Sequence, residues 1–465
     1  MKFKKLILFI KLLIVFTTKA QIAFFENYYG DLLPDLSRNV IQDADKNMYL
    51  LGTTVFNNNA QVNLTKCDSS GNLIWTKYYG DTLNDFGISM VFKNNKITFV
   101  YEKYNSISDI GIGIIKVDTS GSIIWQNQIN KIQNLSPRQI IYSLDNQYLI
   151  CGFISDNFNS NNIYIAKLDT LGNLIWDNSI GGTDNDYSSG IIQMSDSTIY
   201  VSGDTRSFSV GGYDVYLIKL DKNGNLLWDR NYGNQYDNGS QGVLLTQNQK
   251  IFVFGETHTG IGLDFDYYTL MVDSSGNQLW QYNLGWSGTD AAFSAIEDID
   301  GNFILTGYSN SNDTTMPINL SVFKINQSGT VLWQRFYGGS GIDIGFQIIP
   351  SQSGGLLITG QSYIEGFDTQ QYLLHLTSNG LLSQIKLQDA EFLNNIYPNP
   401  FCDSFYLKNF NIDASYKLYS FSGEIIPIEI RENQIIPQKT LTSSVYILME
   451  LLSNGDYKTY KIVKH

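Results

Sequence analysis

The chain has few of the residues from which catalytic and metal sites are usually built. It holds three histidines and three cysteines among 465 residues. The cysteines, which are Cys67, Cys151 and Cys402, lie too far apart for a disulfide framework or for the paired spacing of a zinc site. No H-E-x-x-H motif, phosphate-binding loop or dinucleotide fingerprint occurs, and no spacing supports a Ser-His-Asp triad. We therefore predict no cofactor, no bound metal and no identifiable catalytic residue.

Positive charge is also scarce. Residues 21–390 hold 19 Lys and Arg against 36 Asp and Glu. Because binding to a phosphate backbone requires clustered Lys and Arg, this balance argues against nucleic acid and against an anionic membrane surface as partners. No segment is long and apolar enough for a transmembrane helix, so we expect none.

The first twenty residues have the pattern of an export signal. Met1–Lys5 is basic, Leu6–Phe16 is apolar apart from one lysine, and Thr18 and Ala20 supply small residues at the end. This arrangement is typical of a secretory signal peptide, and its apolar run is much shorter than a membrane span. We predict export, with cleavage after Ala20.

An internal repeat occupies most of the chain. A D-x-x-G-x-x-x-W motif occurs five times, a sixth copy begins with Asn326, and a decayed seventh copy ends in Gln384. Successive tryptophans of the repeat are 50, 51, 52, 52 and 53 residues apart. They are Trp75, Trp125, Trp176, Trp228, Trp280 and Trp333.

The chemistry of the repeat predicts four short strands in each unit. Asp at the first position and Gly at the fourth favour a type I turn with a bulge, which joins the third and fourth strands. We expect the second strand to end in a glycine, at Gly52, Gly152, Gly203, Gly255, Gly307 and Gly360, with Glu102 in the second copy. Four antiparallel strands per unit predict an all-β, seven-bladed β-propeller, with the tryptophans packed between blades.

An eighth copy of the fourth strand stands at the N-terminus. Ile22–Tyr29 matches Leu73–Tyr79, with Phe25 where a tryptophan stands elsewhere. The chain thus has seven copies of the first three strands and eight of the fourth. We predict that Ile22–Tyr29 closes the ring as the outermost strand of the seventh blade, beside Gln371–Leu376.

The repeat resembles those of extracytoplasmic bacterial propellers. It is also similar to the tryptophan-docking motif of the pyrroloquinoline-quinone dehydrogenases, which have eight blades and a quinone site beside calcium. This chain has seven units and no recognisable cofactor motif, so that activity is not expected here.

The C-terminal segment resembles a different family. It opens with Tyr397, Pro398, Asn399 and Pro400, continues through Gly423, and ends in Tyr460–Lys464. In these features Asn394–His465 resembles the type A C-terminal sorting domain of the Bacteroidota type IX secretion system, although Ser444 stands where that family usually has glycine. The resemblance implies an immunoglobulin-like β-sandwich, the type IX machinery as partner, and removal of the domain at the cell surface.

An acidic residue recurs where the chain enters the first strand of a unit. It stands five positions past a corner glycine, as Asp35, Asp85, Asp186, Asp290 and Asp343, whereas the other two units have Leu135 and Asn238. We expect each carboxylate to lie near one mouth of the channel and to accept the backbone amides of its own corner. Convergence of the carboxylates on the axis would instead require a cation such as calcium.

The loops between second and third strands differ most from unit to unit. In a propeller they lie on the same face as the acidic corners, and variable loops on regular strands suggest a binding surface. Candidate ligand-binding residues there are His258, Asp264, Asp266, Tyr213, Asp214 and Phe367.

Three functions remain open from the sequence. The first is a secreted or surface-exposed binding module for a glycan, a protein or an adhesion surface, and the lack of a catalytic set favours it. The second is a glycan hydrolase or lyase, which would need two carboxylates about 5–9 Å apart in a deep pocket. The third is a structural spacer. The predicted domains are a signal peptide (1–20), the propeller (21–390) and the sorting domain (394–465).

Overall fold

The computed structural model describes residues 24–464, with gaps. Not described are 31–33, 57–58, 156–159, 259, 261–263, 286–287, 312–317, 340, 365–367, 383–395, 398–402, 408–409, 413, 421–424, 442–444 and 452–456. The predicted signal peptide and several singled-out residues lie outside the described residues: Phe367, Gln384, Pro398, Asn399, Pro400 and Gly423.

Seven four-stranded antiparallel sheets form a closed ring. In each sheet the first three strands pair in chain order, and the first strand contacts the first strand of the next sheet. The first strand of the seventh sheet contacts that of the first sheet, which completes the circle. The predicted all-β, seven-bladed propeller is confirmed.

The strands follow one another blade by blade. A separate strand, β1 (Phe25–Tyr29), precedes blade 1. Blades 1 to 3 comprise β2 (Asp35–Gln42), β3 (Met48–Phe56), β4 (Asn59–Cys67), β5 (Leu73–Tyr79); β6 (Asp85–Lys93), β7 (Lys96–Ser106), β8 (Asp109–Asp118), β9 (Ile123–Ile129); and β10 (Leu135–Tyr142), β11 (Tyr148–Ser155), β12 (Asn161–Leu168), β13 (Leu174–Ile180). Blades 4 to 7 comprise β14 (Asp186–Gln193), β15 (Ile199–Thr205), β16 (Asp214–Leu220), β17 (Leu226–Tyr232); β18 (Asn238–Leu245), β19 (Ile251–His258), β20 (Phe265–Val272), β21 (Gln278–Leu284); β22 (Asp290–Glu297), β23 (Phe303–Ser309), β24 (Asn319–Ile325), β25 (Val331–Tyr337); and β26 (Ile344–Pro350), β27 (Leu356–Ile364), β28 (Asp368–Leu376).

The repeat motif forms the hairpin between the third and fourth strands. In blade 1 the Gly71 amide donates to the Asp68 carbonyl (3.0 Å) and the Asp68 amide donates to the Asn72 carbonyl (2.9 Å). Gly71 has φ +83°, a conformation that glycine adopts without steric cost. The Asp68 carboxylate accepts the amides of Ser70 and Asn72, and strand pairing slips by one residue beside the turn. The predicted turn with its bulge is therefore present.

In five blades the turn glycine lies against the tryptophan of the preceding blade, whereas Gly71 lies against Phe25 and Gly329 against Tyr282. A Cβ on Gly172 would lie 2.7 Å from the ring of Trp125, so a side chain there would displace the ring. A second contact crosses the same boundary, because the Tyr79 hydroxyl of blade 1 donates a 2.8 Å hydrogen bond to the Gly121 carbonyl in blade 2. Ring contact and hydrogen bond together fasten one blade to the next.

The N-terminal strand closes the ring. β1 pairs antiparallel with β28, from Phe25 opposite His375 to Tyr29 opposite Gln371. Its side chains contact blade 1 in the same way that the fourth strands of the other blades contact the blade that follows them. A Cβ on Gly71 would lie 2.7 Å from the Phe25 ring, and the Tyr29 hydroxyl donates a 2.7 Å hydrogen bond to the Gly71 carbonyl. The closure predicted from the eighth copy is confirmed.

The glycine expected at the end of each second strand lies inside that strand. A Cβ on Gly52 would lie 1.7 Å from the Leu36 carbonyl oxygen, which a bulge in the first strand brings close. In blade 2 the equivalent residue is Tyr101, opposite Gly87, and not Glu102 as the sequence indicated. The shift arises because a two-residue turn joins β6 and β7, which makes this hairpin one residue shorter.

The C-terminal part holds two further four-stranded antiparallel sheets. The first has the order β29 (Ile396–Tyr397), β30 (Phe405–Leu407), β34 (Gln434–Pro437), β33 (Ile428–Arg431), and the second β32 (Ile425–Ile426), β31 (Ser415–Ser420), β35 (Val445–Leu451), β36 (Tyr457–Val463). Side chains of both sheets share one core, as Phe405 and Ile435 from the first meet Leu418 and Leu448 from the second. This part is a small β-domain with its own hydrophobic core.

All regular elements of the described residues are strands. None of these residues forms a helix with the length and apolarity needed to cross a bilayer.

Candidate functional site

The corner carboxylates are buried, and they accept hydrogen bonds from backbone amides of their own corners. Asp85, Asp186 and Asp343 are fully buried, and each accepts the amide that follows its corner glycine, at 3.0, 2.8 and 2.8 Å respectively. This is the local arrangement that the sequence favoured over convergence on the axis. Among the described residues no group of three or more His, Cys, Asp and Glu could hold a metal ion.

The second oxygen of the corner carboxylate has a partner that the sequence analysis missed. In blades 1, 4 and 7 it accepts a hydroxyl from a residue 19 positions later: Thr54 to Asp35, Thr205 to Asp186, and Ser362 to Asp343. Thr257 and Asn238 make the same bond in blade 5, at 2.8 Å. The hydroxyl and the corner residue form one buried hydrogen-bonded unit that sets the start of each first strand.

Blades 2 and 3 have other residues at the position of the hydroxyl, and these changes explain the pattern. In blade 3 Leu135 faces Ile154, so the polar pair is replaced as a whole by an apolar pair. In blade 2 Lys103 faces Asp85, and one buried oxygen of Asp85 has no partner among the described residues. Burial raises the pKa of Asp85 accordingly. The signal available in the sequence was this matched change of two positions 19 residues apart.

The candidate ligand residues divide between two neighbouring corners. At the corner of blade 5, the Tyr213 amide donates to a carboxylate oxygen of Asp237 and the His258 amide donates to the Asp237 carbonyl, both at 2.7 Å. The His258 ring lies 6.1 Å from the Tyr236 ring and 5.1 Å from the Phe265 ring. Tyr213 and His258 are thus both held to Asp237 at this corner.

The other members of the candidate set are less open. Asp214 is 1% exposed and accepts a 2.9 Å hydrogen bond from Asn231, which makes it part of the scaffold. Asp264 accepts the Gly288 amide at 2.8 Å, at the corner of blade 6. Burial, together with Asp264 and Asp290, raises the pKa of half-buried Asp266 to about 6.

The sequence analysis expected a central channel but not the residues that line it. The channel contains a cavity of about 920 Å³ lined by the first strands. In each first strand a bulge leaves one residue without a pairing partner, and all seven of these bulge residues line the cavity. They are Arg38, Ile88, Arg138, Ser189, Gln241, Phe293 and Phe346. A bulge aims its extra side chain away from the sheet, and here it aims it into the channel.

Two bulge residues are arginines without an acidic partner. The Arg38 guanidinium lies 5.4 Å from the centre of the Phe346 ring, and the Arg138 guanidinium lies 5.2 Å from that of Phe153. No described carboxylate lies within 4.0 Å of either guanidinium. Burial and the charge of Arg138 lower the pKa of Arg38, while Glu102 raises it. The two cations therefore repel one another inside a strongly acidic protein.

Blades 4 and 5, which follow the blade of Arg138, carry buried acids. Asp204 accepts a 2.5 Å hydrogen bond from the Ser240 amide, yet burial raises its pKa to about 8, and Glu256 adds to the rise. Burial also raises the pKa of Glu256. Asp204 is therefore mostly protonated at neutral pH and can donate a hydrogen bond. A ligand in the channel would therefore meet two guanidinium groups and a neutral carboxylic acid.

Comparisons with known proteins find similar solved structures but no relative by sequence. No family model matches the chain, and no curated protein matches its sequence. Among similar solved structures, the Neurospora crassa Pan2 WD40 domain has 11% identity and a TM-score of 0.47, with 74% of this chain and 89% of that one covered.

Two further structures resemble the chain in the same range. The β-propeller domain of the Trilobed protease from Pyrococcus furiosus has 11% identity and a TM-score of 0.44, covering 74% of this chain and 95% of that one. PorZ, a surface component of the type IX secretion system of Porphyromonas gingivalis, has 8% identity and a TM-score of 0.32, covering 92% and 81%. At such scores the likenesses carry no argument about activity or partners, and the propeller is established by its sheet order.

Proposed function

We propose that this chain is an exported binding module whose partner, a glycan or a protein, binds the face of the ring that carries the acidic corners. The observation that carries the proposal is the contrast between scaffold and surface on this face. Buried bonds such as those of Asp186 fix each corner, whereas the side chains that project beyond them differ from blade to blade. A rigid base with variable contacts is what recognition requires.

The rim near blades 4 and 5 is the proposed contact point. It combines the rings of Tyr187, Tyr213, Tyr236 and His258 with the guanidinium of Arg206, which lies 5.7 Å from the Tyr213 ring. Aromatic and arginine side chains supply much of the binding energy at interfaces, because they bury large areas at low entropic cost.

The test is binding of the purified full chain to immobilised neutral and acidic glycans and, separately, to extracellular-matrix proteins. We expect one panel to bind, and Tyr213→Ala with His258→Ala to weaken binding at least tenfold. The control is Leu171→Ala, which changes an exposed residue in a turn at the other end of the blade. No binding to either panel, or equal loss in the control, would contradict the proposal.

A second candidate function follows from the acids in the channel. Asp204, protonated at neutral pH beside Glu256, has the pKa pattern of a general acid with a second carboxylate. A glycan hydrolase or lyase would then release new reducing ends from a bound glycan, and Asp204→Asn would abolish release while leaving binding intact. Binding without release would contradict the hydrolase or lyase and support the binding module.

The C-terminal domain is proposed to be a type IX sorting domain of a Bacteroidota protein, with an immunoglobulin-like sandwich fold. Support comes from the sequence motif that begins at Tyr397 and from two sheets that share one core, as expected of a sandwich. The protein would then be secreted or held at the outer-membrane surface, with the type IX machinery as its export partner.

A further inference from the structure

A second level of the channel differs in character from the bulge level. Three positions after each bulge residue, every first strand carries an aliphatic side chain. These residues are Ile41, Val91, Ile141, Ile192, Leu244, Ile296 and Ile349, here called the aliphatic ring. All seven are half-buried, and five of them line the cavity: Ile141, Ile192, Leu244, Ile296 and Ile349.

The two levels make the cavity amphipathic. The bulge level varies in chemistry and includes both arginines, whereas the aliphatic ring is apolar in all seven blades. Each aliphatic side chain packs against a core between two blades, as Ile192 does beside Val243, and the five that line the cavity turn their other side to it. Leu144 and Leu245 extend the apolar lining.

We propose that the channel binds an amphiphilic carboxylate, with the carboxylate between Arg38 and Arg138 and the apolar body against the aliphatic ring. This site lies inside the ring of blades, and of the rim residues named for the proposed function only Tyr187 also lines it. A cavity of about 920 Å³ is at the upper end of the size of small-molecule sites, which are mostly apolar with a few convergent polar groups.

The geometry of the arginines favours a carboxylate. Each guanidinium lies over a phenylalanine ring, 5.4 Å and 5.2 Å from the ring centres, and its planar fork of N–H groups suits a planar, two-oxygen acceptor. Arg138 is exposed to the cavity and Arg38 is half-buried, so a carboxylate between them would offset the repulsion of two cations. Neither guanidinium has a hydrogen-bond acceptor among the described residues that would compete.

The test is calorimetric titration of the purified full chain with linear carboxylates from butanoate to decanoate. We expect affinity to rise about two- to fourfold with each methylene group, because each buries apolar surface against the aliphatic ring. Octanoate should bind at least tenfold more tightly than octan-1-ol, which lacks the charge. Equal binding of octanoate and octan-1-ol, or affinity independent of chain length, would overturn the proposal.

Variants identify the site. Arg38→Met with Arg138→Met keeps apolar bulk on both phenylalanine rings and should weaken octanoate binding at least tenfold. Arg230→Met is the matched control, because Arg230 also lies over an aromatic ring, 5.6 Å from that of Trp228, but in the outer strand β17. Equal loss in the control would refute the assignment. If the double variant fails to fold, the comparison of octanoate with octan-1-ol decides alone.

Three further probes separate other occupants. Glucuronate, a short Glu-rich peptide and inorganic phosphate are titrated into the unmodified chain. We expect each to bind at least tenfold more weakly than octanoate. Binding of any of them as tight as that of octanoate would make the channel a sugar-acid, acidic-peptide or simple anion site, and each of these results contradicts an amphiphilic ligand.

Discussion

Removal of one hydroxyl oxygen from β1 tests whether this strand closes the ring in solution. The Tyr29 hydroxyl of β1 donates a 2.7 Å hydrogen bond to the Gly71 carbonyl, and the Tyr79 hydroxyl of β5 donates a 2.8 Å bond to the Gly121 carbonyl. The two tyrosines are 8% and 7% exposed, so they form a matched pair. They differ in that Tyr79 is held in the middle of the propeller chain, whereas Tyr29 stays in place by docking of β1 alone.

The expected loss of stability lies in the same range for both variants. Tyr→Phe removes one buried hydrogen bond and leaves a carbonyl less well satisfied, which costs about 1–1.5 kcal/mol. At Gly71 part of the loss is offset, because the Asn27 side-chain amide also donates to its carbonyl, at 2.7 Å. We therefore expect Tyr79→Phe at the upper end of this range and Tyr29→Phe at the lower end.

Urea unfolding followed by tryptophan fluorescence is the assay. All seven tryptophans precede residue 390, so the signal reports the propeller without the C-terminal domain. With an m-value of about 4 kcal/mol/M for a domain of this size, the midpoint should fall by about 0.25–0.4 M in each variant. An unchanged midpoint for Tyr29→Phe beside a lowered one for Tyr79→Phe would mean that β1 is not docked in solution, and the closure argument would fail.

Three other predictions follow. Because the folded pKa of Asp204 lies near 8 and the unfolded value near 4, stability should decline as pH rises through this interval, and Asp204→Asn should flatten that decline in urea midpoints measured from pH 4 to 9. Thr205→Val should cost about 1–3 kcal/mol in the same assay, because it leaves a buried oxygen of Asp186 unpaired. Deletion of Tyr397–His465 should hold the protein in the periplasm. Intact mass of the exported form should show loss of Met1–Ala20 and of the region from about Asn394, and a full-length exported chain would contradict both processing steps.

Local chemistry made the blades predictable. A type I turn favours Asp at its first position and Gly at its fourth, and the tryptophan follows four residues after the Gly, so the signal for each hairpin lies within about ten residues. Repetition of that signal showed the number of blades and the position of β1. The one misplaced residue, Glu102 for Tyr101, arose where blade 2 has a shorter hairpin. Spacing alone does not show which residue of a strand lies opposite a bulge.

The sequence predicted only one of the two kinds of hydrogen bond that the corner carboxylates make. Their attachment to nearby amides follows from sequence distance, since each donor is four residues away. The hydroxyl partner 19 residues later depends on the register of two paired strands. Only the coordinated change to Leu135 and Ile154 in blade 3 reports that register in the sequence.

The sequence by itself determined the fold, the number of blades and the way the ring closes, because these depend on turns and pairings that recur at a constant period. Only the tertiary structure decided what lines the channel. Arg38 and Arg138 are 100 residues apart and meet because bulges in two blades aim them at one axis. The high pKa of Asp204 likewise depends on the folded ring, since burial raises it and Glu256 of blade 5 adds to the rise. Burial, and the convergence of side chains on the channel, depend on contacts among all seven blades. They therefore cannot be inferred from the sequence of any single blade.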